Sequence, residues 1–213
     1  MPAYSEHPIT QASFQQIDQE IGPHRFTPAE YGVLRRVIHT TADFEFKQLI
    51  RFRGDPFAAA QVALSLQAQI VTDVSMVAAG VGTVLAKTWR SPIVVAVQRD
   101  LPCLPGETRS AHGMRQCARE YQQAIFAIGN APTALLALCE SIVAGDCQPA
   151  LVIGAPVGFI NVVESKQALA ALAVPHILVA GRKGGSAVAA AILNALMIGA
   201  WQVSPAESVR GEA

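Results

Sequence analysis

The chain has 213 residues, 51% of them hydrophobic and 15% charged, which fits one ordinary domain, or at most one with a small appendage, and excludes both a disordered chain and a membrane bundle. Lys+Arg and Asp+Glu number 16 each, so the formal net charge is zero and no cationic excess is available to displace counterions from nucleic acid. The longest apolar run, Ala187 to Trp201, is shorter than the roughly 20 residues that span a bilayer.

At the N-terminus, Met1 to Thr10 carries neither a cationic nor an apolar signal region, so a cytoplasmic protein is expected. Ile9, Phe14, Ile17 and Ile21 then predict a first helix, closed by Gly22-Pro23. A second opens at Thr27-Pro28, with Thr27 as cap and Pro28 at the first helical position. Val33, Leu34, Val37 and Ile38 form its apolar face, and it carries His39 near its end. Phe46–Phe52 reads as an edge strand. Four continuous apolar runs, Ile70–Val74, Ile93–Val97, Leu151–Gly154 and His176–Ala180, read as buried parallel strands. Helical stretches are expected at Pro56–Gln69, within Gly106–Ile128, and at Pro132–Ala144, Asn161–Ala173 and Gly185–Ala200. This alternation predicts one α/β domain over residues 1–213, a three-layer sandwich with an open, mostly parallel sheet and helices on both faces. Ligands of such sheets sit at the carboxyl ends of the strands, here the loops after Val74, Val97, Gly154 and Ala180.

The cysteines, Cys103, Cys117, Cys139 and Cys147, contain no C-x-x-C pair and have no histidine at zinc-finger spacing, so buried thiols are expected and no metal site. The cations are 12 Arg and 4 Lys, a bias that suits the two-pronged gripping of carboxylates. Two glycine loops, Gly154–Phe159 and Gly181–Ser186, each follow a strand and precede a helix, where backbone amides hold anions. Neither matches a dinucleotide or phosphate-loop pattern. Arg182 and Lys183 make the second the better anion site. Arg109, in Thr108-Arg109-Ser110, falls in the first turn of a helix, where a cation opposes the helix dipole unless an anion is bound. Of the five histidines, only His39 lies in an apolar helix next to cations. An imidazole exchanges protons near neutral pH, and Asp43 is placed to orient it if the helix continues.

Six segments, in order, resemble the precorrin-8X methylmutase family, which includes the cobalt-precorrin-8 methylmutases. They are His7-Pro8-Ile9 through Ser13-Phe14, Arg36 through Asp43, Thr72 through Val77, Thr108-Arg109-Ser110, Gly154 through Phe159 with Glu164-Ser165-Lys166, and Gly181 through Ser186. The resemblance covers residues 7–200. It implies an isomerase of corrin synthesis that moves a methyl group from C-11 to C-12 of a tetrapyrrole polycarboxylate, giving hydrogenobyrinate or its cobalt counterpart. It also implies no cofactor, no protein-bound metal, and a homodimer holding the ring near the subunit interface. By the same resemblance His39 is the catalytic proton donor and acceptor. Ser13, Arg36, Thr40, Arg109, Ser110, Arg182, Lys183, Gly184 and Ser186 are the substrate-binding residues. Leu101–Pro105 departs from the family's pattern. Two other readings stand beside this one: a non-catalytic tetrapyrrole carrier on the same fold, and a nucleotide-dependent α/β enzyme.

Overall fold

The computed structural model describes residues 4–99 and 106–203; Leu101–Pro105 and Cys103 lie outside them. The chain begins with α1 (Pro8–Glu20), α2 (Pro28–Thr41) and a single turn, α3 (Phe46–Leu49). There follow β1 (Ile50–Arg53), α4 (Pro56–Ser65), β2 (Ile70–Thr72), α5 (Ser75–Lys87) and β3 (Ile93–Val95). The second half contains α6 (Arg109–Glu120), β4 (Ile125–Ile128), α7 (Pro132–Val143), β5 (Leu151–Gly154), α8 (Val162–Ala170), β6 (His176–Val179) and α9 (Ser186–Gln202).

The six strands form one sheet in the order β1-β6-β5-β4-β2-β3. Five are parallel, and β1 runs antiparallel to β6 at one edge. The expected three-layer architecture is present. One face is covered by α1, α2, α4, α5 and α9, whose buried residues join Ile70, Ile125, Ile153 and Ile177 of the sheet. The other is covered by α6, α7 and α8 over Val71, Phe126, Val152 and Leu178. Consecutive strand residues thus enter opposite cores, which explains why the strands read as unbroken apolar runs.

Three expectations are corrected. Ile125–Ile128, not anticipated as a strand in the segment expected to contain a helix, is β4, a fully buried central strand between β2 and β5. The helix stops at Glu120, with Tyr121 as its C-terminal cap. Ser75–Lys87, not anticipated as helical, is α5; its Gly80 lies where an added Cβ would stand 2.7 Å from the Ala190 Cβ, so the glycine permits the close α5–α9 crossing. The edge segment Phe46–Phe52 divides into the α3 turn and β1, which is shifted toward Arg53. Cys117, Cys139 and Cys147 are buried free thiols, their pKa values pushed by burial to about 11, about 12 and about 11.

Candidate active site

The helix carrying His39 is strongly specified at its start. Thr27 accepts from the Glu30 amide while the Glu30 carboxylate accepts from the Thr27 amide, a reciprocal capping box, and Pro28 occupies the first turn. It ends at Thr41, because Ala42 takes a left-handed conformation with φ of 53°. Asp43 therefore lies beyond the helix, off the turn that was expected to bring it to His39. Its carboxylate instead accepts from Lys183 Nζ at 2.6 Å and from the Glu45 amide at 2.9 Å.

Around the end of α2, four of the expected residues come together. His39 is exposed, and its ring stands edge-on to Phe14 of α1 with centroids 5.3 Å apart. The Arg35 and Arg36 guanidinium groups lie 4.5 and 5.5 Å from the same ring, so Phe14 is the shared floor of one imidazole and two cations. Arg36 pairs with Glu6. Ser13, next to Phe14, donates to the Ile9 carbonyl at 3.0 Å, and Thr40 donates to the Arg36 carbonyl at 2.9 Å.

The 181–186 loop reaches this patch through Lys183, whose ammonium lies 2.6 Å from both Asp43 and Glu45. Those contacts hold the Asp43 carboxyl below its ordinary pKa and raise that of Lys183. With Lys183 engaged by two carboxylates, Arg182 is the exposed cation of the loop, 5.6 Å over the Phe159 ring. Gly184 has φ of 153°, and a Cβ there would lie 2.3 Å from the Ala155 carbonyl oxygen, so only glycine lets the two glycine loops touch. The Gly185 amide donates to that same oxygen at 2.8 Å, and the Gly158 amide donates to the Arg182 carbonyl at 3.3 Å. Ser186 is buried at the first turn of α9, which has no side-chain cap. Beyond the loop, Val157, Phe159 and Ile160 are exposed, as is Met76 at the start of α5. Exposed apolar surface thus meets the Arg182 cation at Phe159.

Arg109 and Ser110 stand apart from this group. They begin α6, which follows β3, and β3 lies four positions from β6 in the sheet. Thr108 caps the helix by accepting from the Ala111 amide at 3.2 Å. Arg109 donates to the Val97 carbonyl at 3.3 Å. The neighbouring Glu107 does not neutralise it: its carboxylate is held by His112 at 2.9 Å and Arg115 at 3.0 Å. These contacts keep the Glu107 pKa below its ordinary value.

Two structural residues were present in the quoted motifs without an assigned role. Asp73, fully buried at the end of β2, accepts from the amides of Gly129 at 3.1 Å and of Asn130 and Ala131 at 2.7 Å. Burial raises its pKa and the amides oppose that shift. It thereby ties together the diverging loops after β2 and β4. The signal available in the sequence was an acid directly after a buried apolar run. Lys166 of α8 is the second, and it too is buried.

The fold and this edge define an α/β protein whose candidate ligand face combines guanidinium groups, an exposed imidazole and apolar side chains. The comparisons with known proteins specify the family. The family model described as precorrin-8X methylmutase matches residues 8–198. The cobalt-precorrin-8 methylmutase of Synechocystis is 46% identical over 211 residues, covering 92% of this chain and 97% of the relative. That of Priestia megaterium is 43% identical, covering 87% and 84%. A solved precorrin-8X methylmutase from Thermus thermophilus superposes with a TM-score of 0.83 at 42% identity, covering 91% of this chain and 98% of the other. The chain belongs to the precorrin-8X methylmutase family, a family of isomerases.

Proposed function

We propose that this chain moves a methyl group from C-11 to C-12 of a precorrin-8 macrocycle in corrin synthesis, with His39 as the group that lends and recovers a proton. The observation that carries this reading is the exposed His39 imidazole beside Arg36 and Phe14, joined through Asp43 to the Arg182 loop, in a chain of this family. The names of the Synechocystis and Priestia relatives favour a cobalt-bearing ring as substrate.

The chemistry asks little of the protein beyond placement and one proton. The imidazolium transfers its proton to the macrocycle, which draws electron density from the conjugated system. The methyl group then forms its bond to C-12 as its bond to C-11 breaks, and the proton returns to His39. Atoms and electrons balance without oxidant, reductant or second substrate. Phe14 and the exposed side chains of Val157, Phe159 and Ile160 offer apolar surface to the ring. Arg36 and Arg182 grip its carboxylates, while Ser13, Thr40 and Ser186 supply polar contacts and Gly184 allows the backbone to approach. Lys183 contributes by fixing the loop to Asp43 and Glu45. Holding one ring geometry in one protonation state is how such a site lowers the barrier.

Arg109 and Ser110 belong to the same site if the working unit is a homodimer, since they lie well along the edge from His39 within one subunit. The exposed Met76, Val157, Phe159 and Ile160 suit such an interface. We place this activity in one domain over residues 1–213, acting in the cytoplasm. Among the described residues no helix is long and apolar enough to cross a membrane. Anaerobic incubation of the purified protein with cobalt-bearing and metal-free precursor tests the reading: the visible spectrum of the corrin product is expected to develop. Tight binding of the product with no conversion of either precursor would make the protein a carrier instead. Light scattering of the purified protein is expected to give the mass of a dimer, and a monomer during turnover would remove the interface reading.

A further inference from the structure

Lys166 is one of very few charged side chains buried among the described residues, at 2% exposure, and neither the family's chemistry nor the ion pairs above make use of it. Among the described residues no carboxylate pairs with it. Its Nζ donates instead to two backbone carbonyls, those of Gly181 at 2.7 Å and Lys183 at 2.8 Å. These carbonyls flank Arg182. Burying an ammonium is costly, and carbonyl dipoles repay it only when they are held in place. The same loop is fixed on its other side by the Lys183 ammonium against Asp43 and Glu45, just past the helix that ends beside His39.

We propose that Lys166 is a positioning residue for the substrate site: its ammonium clamps the 181–183 backbone so that Arg182 projects toward the ligand and the loop stays docked to the end of α2. This rests on the reading of the 181–186 loop as a binder of substrate carboxylate. It goes beyond that reading by assigning the loop's shape to a single buried proton donor on another helix.

The clamp has a built-in pH dependence. Burial lowers the Lys166 pKa from 10.5 to about 8. Below that value the clamp is a charged donor; above it a neutral amine makes weaker hydrogen bonds to the same carbonyls. The charged and titratable groups around it are Arg51 and Arg53 of β1 and His176 of β6, which line the same hollow, with Arg182 between the clamped carbonyls and Glu164 exposed on α8. Lys183 is held charged by Asp43 and Glu45, and burial keeps His176 of β6 on the neutral side.

The sequence permits a direct reading. Gly181-Arg182 is the sole Gly-Arg step in the chain and Lys183-Gly184 the sole Lys-Gly step, so carbonyl-13C glycine with 15N arginine, and carbonyl-13C lysine with 15N glycine, each isolate one clamped peptide by NMR. In the unmodified protein both carbonyl resonances are expected to titrate together with a midpoint near 8. In Lys166→Arg, which stays charged, that titration should vanish. In turnover, Lys166→Met is expected to raise KM about tenfold with kcat changed less than twofold, and the wild-type KM should rise above pH 8 while that of Lys166→Arg does not. Carbonyls that do not move at any pH up to about 10.5, the ordinary lysine value, overturn the clamp even if Lys166→Met unfolds. Carbonyls that titrate in a protein whose KM ignores the change leave the clamp standing and overturn its role at the substrate site. Absence of any turnover by the wild type would instead strike the functional reading.

Discussion

The two ends of the sheet make opposite offers to a ligand. A concavity of about 790 Å³ opens at the amino ends of the strands between α4 and the residues leading into β2, β4 and β5. Its wall contains Ala58, Ala59, Val62 and Leu66, with Gln69, Gln122 and Gln148 among the polar groups, and its one charged residue is Asp55. That carboxylate already accepts from the Ala58 amide as the cap of α4. The carboxyl ends carry far more chemistry: His39, Arg36, Arg182 and two glycine loops. A polycarboxylate finds no cation lining the first hollow, and Arg36 and Arg182 at the second edge. Charge and proton-transfer groups are the grounds on which we propose the carboxyl ends as the site.

The sharpest way to break this comparison is His39→Ala. The ring is exposed and makes no hydrogen bond among the described residues, so removing it should leave the melting temperature within a few degrees while turnover falls about 10²- to 10⁴-fold. Leu66→Gln at the opposite edge, also an exposed position, should leave kcat and KM unaltered. A His39→Ala enzyme with near-normal kcat would reverse the assignment of the two edges.

Next in size is Gly184→Ala. The new methyl would press on the Ala155 carbonyl at a positive φ, and the loops cannot separate without breaking the Gly185 hydrogen bond to the same oxygen. We expect a stability loss of about 2–4 kcal/mol by urea denaturation. Arg182→Ala should have a smaller effect. Losing one charge-assisted contact of roughly 1.5–3 kcal/mol raises KM about 10- to 100-fold, with the melting temperature unmoved. An unchanged KM would show that the carboxylates are gripped elsewhere.

The smallest effect compares two histidines. His176 lies at the amino end of β6, buried, with Nδ1 2.8 Å from the Val174 carbonyl; burial lowers its pKa below 6.5. The unfolded chain therefore takes up a proton at higher pH than the folded one. Stability should fall slightly as pH drops below about 6.5 and level off beneath the depressed value. His176→Asn should flatten that limb in denaturant melts across pH, whereas His39→Ala should leave the limb and abolish activity. The same residue type then reports stability at one edge and chemistry at the other.

The legible parts of the fold were those specified within a few residues. Thr27, Pro28 and Glu30 announce the start of α2, and the buried runs at Leu151–Gly154 and His176–Val179 read directly as parallel strands. β4 was hidden because Ile125–Ile128 follows an amphipathic helix with no glycine or proline between them, and a short apolar run looks alike in either state. α5 was hidden because Gly80 and Gly82 lower its helical propensity; it forms because it packs on α9.

What the sequence determined by itself is therefore the alternation of strand and helix, the ordered motifs of the family, and the candidates that carry charge or an imidazole. Tertiary structure alone decided how those candidates are used. Asp43 is four residues from His39 but serves Lys183, 140 positions away. Lys166 is spent on two carbonyls, and Arg109 stands four strands from the loop that follows β6. The physical reason is that periodicity and capping depend on neighbours along the chain. The partner of a charged group depends on which loops the packed layers bring within hydrogen-bond reach.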